Sequence, residues 1–380
     1  MKIERVELYR LKVPLKQPYK IATAEMKAFD STVVGLQAEG REGLGEAMAD
    51  IQGYFWETAD EVWQFARGQG PKLLGLSIAQ AYASISAHVQ DRPCASTPFL
   101  TALEMLAGNP LLSLPPEPCS VPMVGILQAN QPEGIGKEAE DFIGQGYDTI
   151  KIKVGFDVDR DIEKVTVAQS IIRGRAQVRA DANQGYTFDQ AKKFVQSIDP
   201  AGIEFLEQPF KEDEWEAMAE LARLSPLPLG LDESIYGMAA VEKAKKLGCA
   251  RFVKFKIMKM GSAGALAEAI DSSREIGLEV ILGNGAAGEI SCYQEALVAA
   301  RMKTRTGEMN GFLKQKESIL TEEMKTEGGK ILLRPDYRLR LDPRKVEKYA
   351  ADRCSWPEES PAGRVPPPPK LPVPDPQLPV

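Results

Sequence analysis

From about residue 120 the chain alternates short apolar runs with amphipathic stretches. The runs are VPMVGIL, TIKIKV, QVRADA, IEFLEQ, LGLDE, RFVKFKI and EVILGN. Between them, segments such as DIEKVTVAQSIIRG and SAGALAEAIDSSREIG carry apolar residues at helical spacing. Thr187 to Gln190, TFDQ, reads as a capping box opening one of these helices. Strands alternating with helices at this period predict a parallel sheet. Seven such strands, with an eighth near TGEMNGF, predict a closed barrel. An open doubly wound sheet is the alternative, and it would scatter the charges at the strand ends.

Ahead of the barrel the pattern differs. VELYRLKVPL, TVVGLQAEG and GLGEAMA alternate as strands of an antiparallel meander. Residues 57–108 read as helices, with Val62, Phe65 and Leu73 at near-helical spacing. The expected organisation is an α+β capping domain over 1–118, a barrel over 119–328 and a return segment to the cap over 329–354. A proline-rich tail over 355–380 holds ten of the chain's 27 prolines, and its composition predicts polyproline-like or disordered chain.

The strand ends carry a ladder of charges. Lys151 and Lys153 stand in KIK, Asp181 in RADAN, Glu207 in LEQP, Asp232 in LDES and Lys256 in KFK. From Lys153 the steps are 28, 26, 25 and 24 residues, one strand and helix each. A barrel would bring all six to one rim. Residues two apart in a strand share a face. Lys151 therefore points inward with Lys153, Arg179 and Asp181 with Asn183, and Lys254 with Lys256. Buried charge is costly unless paired or metal-bound, so a run of it across consecutive strands is not core packing.

Each acid alone reads as a surface carboxylate or helix cap, but the three at this spacing do not. Asp181, Glu207 and Asp232 offer three hard oxygen ligands with no histidine or cysteine beside them. That set suits magnesium, with manganese second. Asn183 and Gln208 are placed to orient those ligands. A lysine acting as a base must be partly neutral. Lys151 beside Lys153, with a divalent cation near, is expected to lower the pKa. Lys256 falls across the barrel mouth from Lys153, so a substrate between them has one lysine on each face. Lys254, Lys259 and Arg179 are expected in pairing roles inside the barrel or at the surface.

Composition narrows the rest. The net charge of -7 argues against nucleic acid as a partner. No apolar stretch is long enough to cross a bilayer, and MKIERVELYRLKVPL has no apolar signal core, so a cytoplasmic location is expected. Five scattered cysteines without a CxxC pair predict free thiols. The single histidine, His88, excludes a histidine base in the ladder.

The set of motifs resembles the enolase superfamily, within it the muconate lactonizing enzyme subgroup. KIKVG, RADANQGY, FLEQPF, LDES and KIMKMG match that subgroup's KxK, DxN, EQP, DES and Kxx(K)xG patterns in order. TALEMLAG resembles the helix that precedes its barrel. The likeness covers residues 1–345 and is closest to dipeptide epimerases and amino-acid racemases. It implies a modified (β/α)7β TIM barrel with an α+β N-terminal cap, one Mg2+ per subunit, and a homo-oligomer. It also implies removal of the proton α to the carboxylate of a small-molecule substrate, with stabilisation of the resulting enolate. By position Lys153 and Lys256 would be the paired acid and base, Lys151 would help, and Glu233 would support Lys256.

The chain also departs from the pattern. After the seventh strand it reads GNGAAGE, with Ala287 where subgroup members carry an acid and Glu289 two residues later. The small Gly285, Ala286 and Ala287 predict a roomy pocket floor. The aspartate pair of dipeptide epimerases is absent from GEMNGFLK, and Ser262 follows Gly261. Two cap loops, around Tyr19 and around Tyr54 to Trp56, are expected over the site. The pocket candidates are Tyr19, Tyr54, Trp56, Asn284 and Glu289. The expected activity is racemisation or epimerisation of an amino-acid or dipeptide derivative. A cycloisomerase of the muconate lactonizing type, a syn-dehydratase and a non-catalytic ligand-binding homologue are the alternatives.

Overall fold

The computed structural model describes residues 1–20, 25–49 and 56–358. Strands β1 (Arg5–Lys20), β2 (Glu25–Ala38) and β3 (Arg41–Met48) form the expected antiparallel meander. Its apolar residues Val6, Leu8, Val34 and Leu36 are buried against helices α1 (Ala59–Gln69), α2 (Ile78–Ser86) and α3 (Pro93–Ala107). Thr58 with Glu61 and Ser77 with Gln80 close capping boxes on the first two helices. His88 is structural: its ring meets Phe65 edge-on at 5.3 Å.

The VPMVGIL run divides. Its first half, β4 (Cys119–Pro122), pairs outside the barrel, and only β5 (Gly125–Leu127) enters it. Helix α4 (Pro132–Gly144) follows, and the pattern then repeats through β6 (Thr149–Lys153), α5 (Val158–Ile172), β7 (Gln177–Asp181), α6 (Phe188–Ser197), β8 (Ile203–Glu207) and α7 (Trp215–Leu224). It continues with β9 (Leu229–Leu231), α8 (Met238–Leu247), β10 (Phe252–Phe255), the short α9 (Ile257–Met260), α10 (Ala263–Glu275), β11 (Glu279–Leu282) and α11 (Glu289–Met302). The seven strands from β5 to β11 lie side by side in chain order, all parallel. Gly307 and Glu308 fill the eighth place. Val124 N donates to Gly307 O at 2.8 Å on one side, and Glu308 N donates to Leu282 O at 2.9 Å on the other. The sheet thus closes as a (β/α)7β barrel, and the open doubly wound alternative is excluded. The capping box at Thr187 and Gln190 is present.

The barrel floor is aromatic and ionic. Phe205 and Phe252 stack at 4.5 Å, the Arg179 guanidinium lies 5.2 Å over Phe205, and Arg179 binds Glu204 at 2.7 Å. After the eighth strand the chain runs through β12 (Thr326–Glu327), β13 (Lys330–Leu333) and α12 (Pro343–Tyr349). It then lies on the free edge of β1 as β14 (Ala350–Trp356), and the proline-rich tail from residue 359 onward lies outside the described residues. All five cysteines are free, with Cys94, Cys249 and Cys292 buried. Among the described residues no helix is long and apolar enough to cross a membrane.

Two glutamates of the cap latch it to the barrel. Glu46 of β3 accepts from Ile290 N at 3.1 Å and Ser291 N at 3.2 Å, at the N-terminus of α11. Glu104, in the TALEMLAG helix, accepts from Ala263 N and Gly264 N at 2.8 and 2.9 Å, at the N-terminus of α10. Helix N-termini leave backbone donors free, and a carboxylate satisfies them. A Cβ on Gly288 would fall 1.9 Å from Glu46 Oε1, so the first latch requires glycine there.

Candidate active site

Parallel strands deliver their carboxyl ends to one rim, so the ladder converges as expected. Lys151, Lys153, Asp181, Glu207, Asp232 and Lys256 are all buried within the barrel. Strand β6 carries Lys153 and β10 carries the strand end at Lys256. They stand four steps apart in a ring of eight, on opposite sides of the mouth.

The charges form two tiers. The inner tier is an alternating square. Lys151 Nζ lies 3.0 Å from Glu207 and 2.6 Å from Glu308. Lys254 Nζ lies 3.0 Å from Glu207 and also bonds Glu308. Each ammonium touches both glutamates, and each glutamate touches both ammoniums. The outer tier is two pairs: Lys153 with Asp181 at 2.6 Å, and Lys256 with both oxygens of Asp232 at 2.8 and 2.9 Å. Lys151 reaches up to Asp181 at 2.8 Å, and Lys254 to Asp232 at 3.3 Å.

The two outer lysines are held in opposite senses. Burial presses on Lys153, but Asp181 and its acidic neighbours outweigh it and keep the pKa above the ordinary lysine range. At Lys256 burial wins over the attraction of Asp232 and, with the like charges of Lys259 and Lys254, takes the pKa down to about 7. Lys151 is also raised: burial opposes its charge, but Asp181, Glu207 and Glu308 prevail. The lowering expected from two adjacent lysines is thus reversed at Lys151 and Lys153, because carboxylates stand closer to each than the other lysine's charge can offset.

The neighbouring polar residues hold this frame. Asn183 Oδ1 accepts from Lys153 at 2.7 Å, and its Nδ2 donates to Glu233 at 3.0 Å. Burial, with Asp232 and Asp181 adding, pushes Glu233 up to about 8. Gln208 accepts from Asp232 N at 3.0 Å and donates to the Ser234 hydroxyl at 2.8 Å, fixing the DES loop. Asn183 and Gln208 both take positive φ, 39° and 37°. That is a sparsely populated conformation for side-chain-bearing residues, and such residues cluster at functional sites.

The pocket candidates fall in different places. Tyr19 is buried at the mouth, with Lys314 Nζ 4.6 Å over its ring. It borders a cavity of about 650 Å³ that Lys153, Phe156, Arg160 and Lys164 also line. Trp56 is 54% exposed and packs on Tyr236 at 4.5 Å, beside Lys259, which donates to the Asp232 carbonyl at 2.8 Å. Asn284 is buried on the closing seam, where its N donates to Glu308 O at 3.2 Å. Glu289 turns instead to the chain that follows the eighth strand, accepting from the Ser318 hydroxyl at 2.5 Å and from Ile319 N at 3.1 Å. Tyr54 lies outside the described residues.

The GNGAAGE floor is not roomy, because Glu308 fills it. A Cβ on Gly285 would meet Glu308 Oε1 at 2.5 Å. Lys254 takes the inner pairing role expected of it, and Glu308 is what sequence reasoning missed. The signal for it was the acid in GEMNGF.

Asp181, Glu207 and Asp232 have the hard-oxygen chemistry that magnesium takes. Among the described residues, however, no group of three or more acidic, histidine or cysteine side chains is arranged to hold a metal ion. Lys151 and Lys254 lie between the three carboxylates.

A closed (β/α)7β barrel with paired acids and lysines on its carboxyl rim, under an α+β cap, defines the class. The chain belongs to the enolase C-terminal domain-like family, whose pattern it matches over residues 134–336. The N-succinyl-L-Arg/Lys racemase of Bacillus cereus is 25% identical over 337 residues, spanning 84% of this chain and 90% of that protein. The L-Ala-D/L-Glu epimerase of Bacillus subtilis is 27% identical over 304 residues, 75% of this chain and 81% of that one. The crystal structure of a dipeptide epimerase from Cytophaga hutchinsonii, complexed with Mg and the dipeptide D-Ala-L-Val, superposes with a TM-score of 0.80 at 18% identity, covering 93% of this chain and all of that one.

Proposed function

We propose that this protein is an isomerase that moves the proton on the α-carbon of a carboxylate, as a racemase or epimerase of an amino-acid or dipeptide derivative. The observation that carries the reading is the opposition of Lys153 and Lys256 across the mouth, each tied to its own aspartate at 2.6 and 2.8 Å. The racemase and epimerase relatives support it. The free amine of one lysine takes the α-proton from one face, and the ammonium of the other delivers a proton to the opposite face. One proton leaves the substrate and one arrives, so the product differs only in configuration. Asp181 and Asp232 hold the two side chains in line, and Asn183 steadies Lys153. Asp181, Glu207 and Asp232 are the acids whose chemistry fits Mg2+, with Mn2+ second, and they would hold it in place of the contacts that Lys151 and Lys254 make with them in this structure. When bound, the ion offsets the negative charge that develops on the substrate carboxylate.

The test is solvent deuterium incorporation at the α-carbon of dipeptides and N-acylated amino acids, followed by mass spectrometry. The wild type should exchange both configurations. Lys153→Ala and Lys256→Ala should each lose racemisation by roughly 10²-fold or more, and each should keep exchange with only one configuration, opposite for the two variants. Full turnover by Lys256→Ala would end the two-base reading and leave a one-base chemistry.

A further inference from the structure

We propose that Lys254 is a resident cation of the acidic site, competing with a divalent ion for Glu207 and Asp232, and that Glu308 is the counter-charge that holds it there. The proposal rests on the reading that Asp181, Glu207 and Asp232 take such an ion.

Three observations carry it. First, Lys254 Nζ lies 3.0 Å from Glu207 Oε1 and 3.3 Å from Asp232 Oδ2, so it already engages two of the three acids. An ion sharing those oxygens meets an ammonium at close range, and like charges at that range repel strongly in a buried site. Second, Glu308 is hydrogen-bonded through its side chain to Lys254 and Lys151, and reaches neither Lys153 nor Lys256 by ion pairing. A buried ammonium needs a counter-charge, and Glu308 supplies it from the side away from Asp232. Third, the fold makes room for this glutamate. A Cβ on Gly283 would meet the Glu308 Cβ at 2.5 Å, and one on Gly285 would meet its carboxylate at the same distance. Lys254, Glu308 and the two glycines fit together as a unit.

The pair is neutral as a whole. Without it, Lys151, Lys153 and Lys256 still balance Asp181, Glu207 and Asp232. It is therefore not required for charge balance. What it adds is a positive charge next to the acids and a negative charge behind it. The expected consequence is a site that binds divalent ions more weakly than its three carboxylates would alone.

Isothermal titration calorimetry with Mg2+, and separately Mn2+, on the full chain tests this. The chains compared are the wild type, Lys254→Met, the double variant Lys254→Met/Glu308→Gln, and Asp181→Asn. The double variant removes a neutral pair, so it keeps the fold's charge balance and any tightening in it is not a net-charge effect. Both Lys254 variants should bind at least about tenfold tighter than the wild type. If the double variant binds with wild-type affinity while Asp181→Asn abolishes binding, the resident-cation proposal is wrong and the metal-site reading stands. If no chain binds either ion, both are wrong.

Discussion

The Glu46 latch makes stability depend on pH in a direction that can be worked out. Its carboxyl is buried where cap meets barrel, and burial is the main cause that raises it from 4.5 to about 7. The donors Ser291 N and Ile290 N and the Ser31 hydroxyl pull the other way, and Glu289 adds to the rise. The folded state therefore holds a proton that the unfolded chain has released between about pH 4.5 and 7. Protons bound in excess by the folded state mean that stability falls as pH rises through that window. With those two values, the free energy of unfolding should drop by about 2.5 kcal/mol between pH 5 and pH 8 from this group alone. Other buried acids raised in the same way, Glu295 to about 7 and Glu233 to about 8, act in the same sense. The difference between wild type and Glu46→Gln isolates the latch, since glutamine keeps the size and an acceptor for the α11 donors but does not titrate. Urea unfolding of both proteins at pH 5 and pH 8 gives the four free energies. The wild type should lose about 2.5 kcal/mol more than Glu46→Gln over that range. Equal losses would mean that Glu46 ionises as an ordinary surface acid and that the interface is wetter than its burial indicates.

Glu104→Ala removes the second latch and leaves Ala263 N and Gly264 N without their carboxylate. It should cost about 2 to 4 kcal/mol, and an unchanged melting temperature would show that water replaces it freely. Gly155 sits at φ 92° just beyond Lys153, and a Cβ there would lie 2.2 Å from the Ala182 carbonyl. Gly155→Ala should destabilise by more than about 2 kcal/mol and lower α-proton exchange with it, as read by chemical unfolding and deuterium uptake. Arg179→Met strips Glu204 of its closest partner in the barrel floor. It should cost about 3 kcal/mol in urea unfolding, and a neutral outcome would mean that Arg305, 3.6 Å from Glu204, takes over.

What was legible in the sequence follows from strand geometry. A parallel barrel repeats one strand and one helix per step, and the strand's period of two fixes which side chains point inward. Asp181, Glu207, Asp232 and the lysines could therefore be placed on one rim from spacing and parity. Glu308 could not. It belongs to a strand reduced to Gly307 and Glu308, too short to leave an apolar pattern, and it meets Lys151 across 157 positions of chain and Lys254 across 54. The small residues of GNGAAGE pointed to empty space for the same reason, because the side chain that fills it lies on another strand. Glu46 was equally hidden, since its partner Ile290 is 244 positions away.

The two tiers explain how one barrel tolerates so many charges and still leaves the two lysines proposed as acid and base on its rim. In the inner square every group has opposite charges on two sides, so removing any one leaves both of its neighbours short of a counter-charge, which is destabilising in a buried site. Those four residues are locked by their mutual pairing. Lys153 and Lys256 are bound differently. Among the ion pairs of the described residues each is tied to one aspartate, and Lys153 borders the open cavity beside Tyr19 and Phe156. A proton carrier must exchange one partner for another during turnover, and a side chain with one acidic partner can do that where one shared between two cannot. The inner square thus supplies a rigid base against which the outer lysines can change charge without collapsing the rim. This supports the proposal that the chemistry falls to Lys153 and Lys256, while Lys151, buried and paired with three carboxylates, gives support.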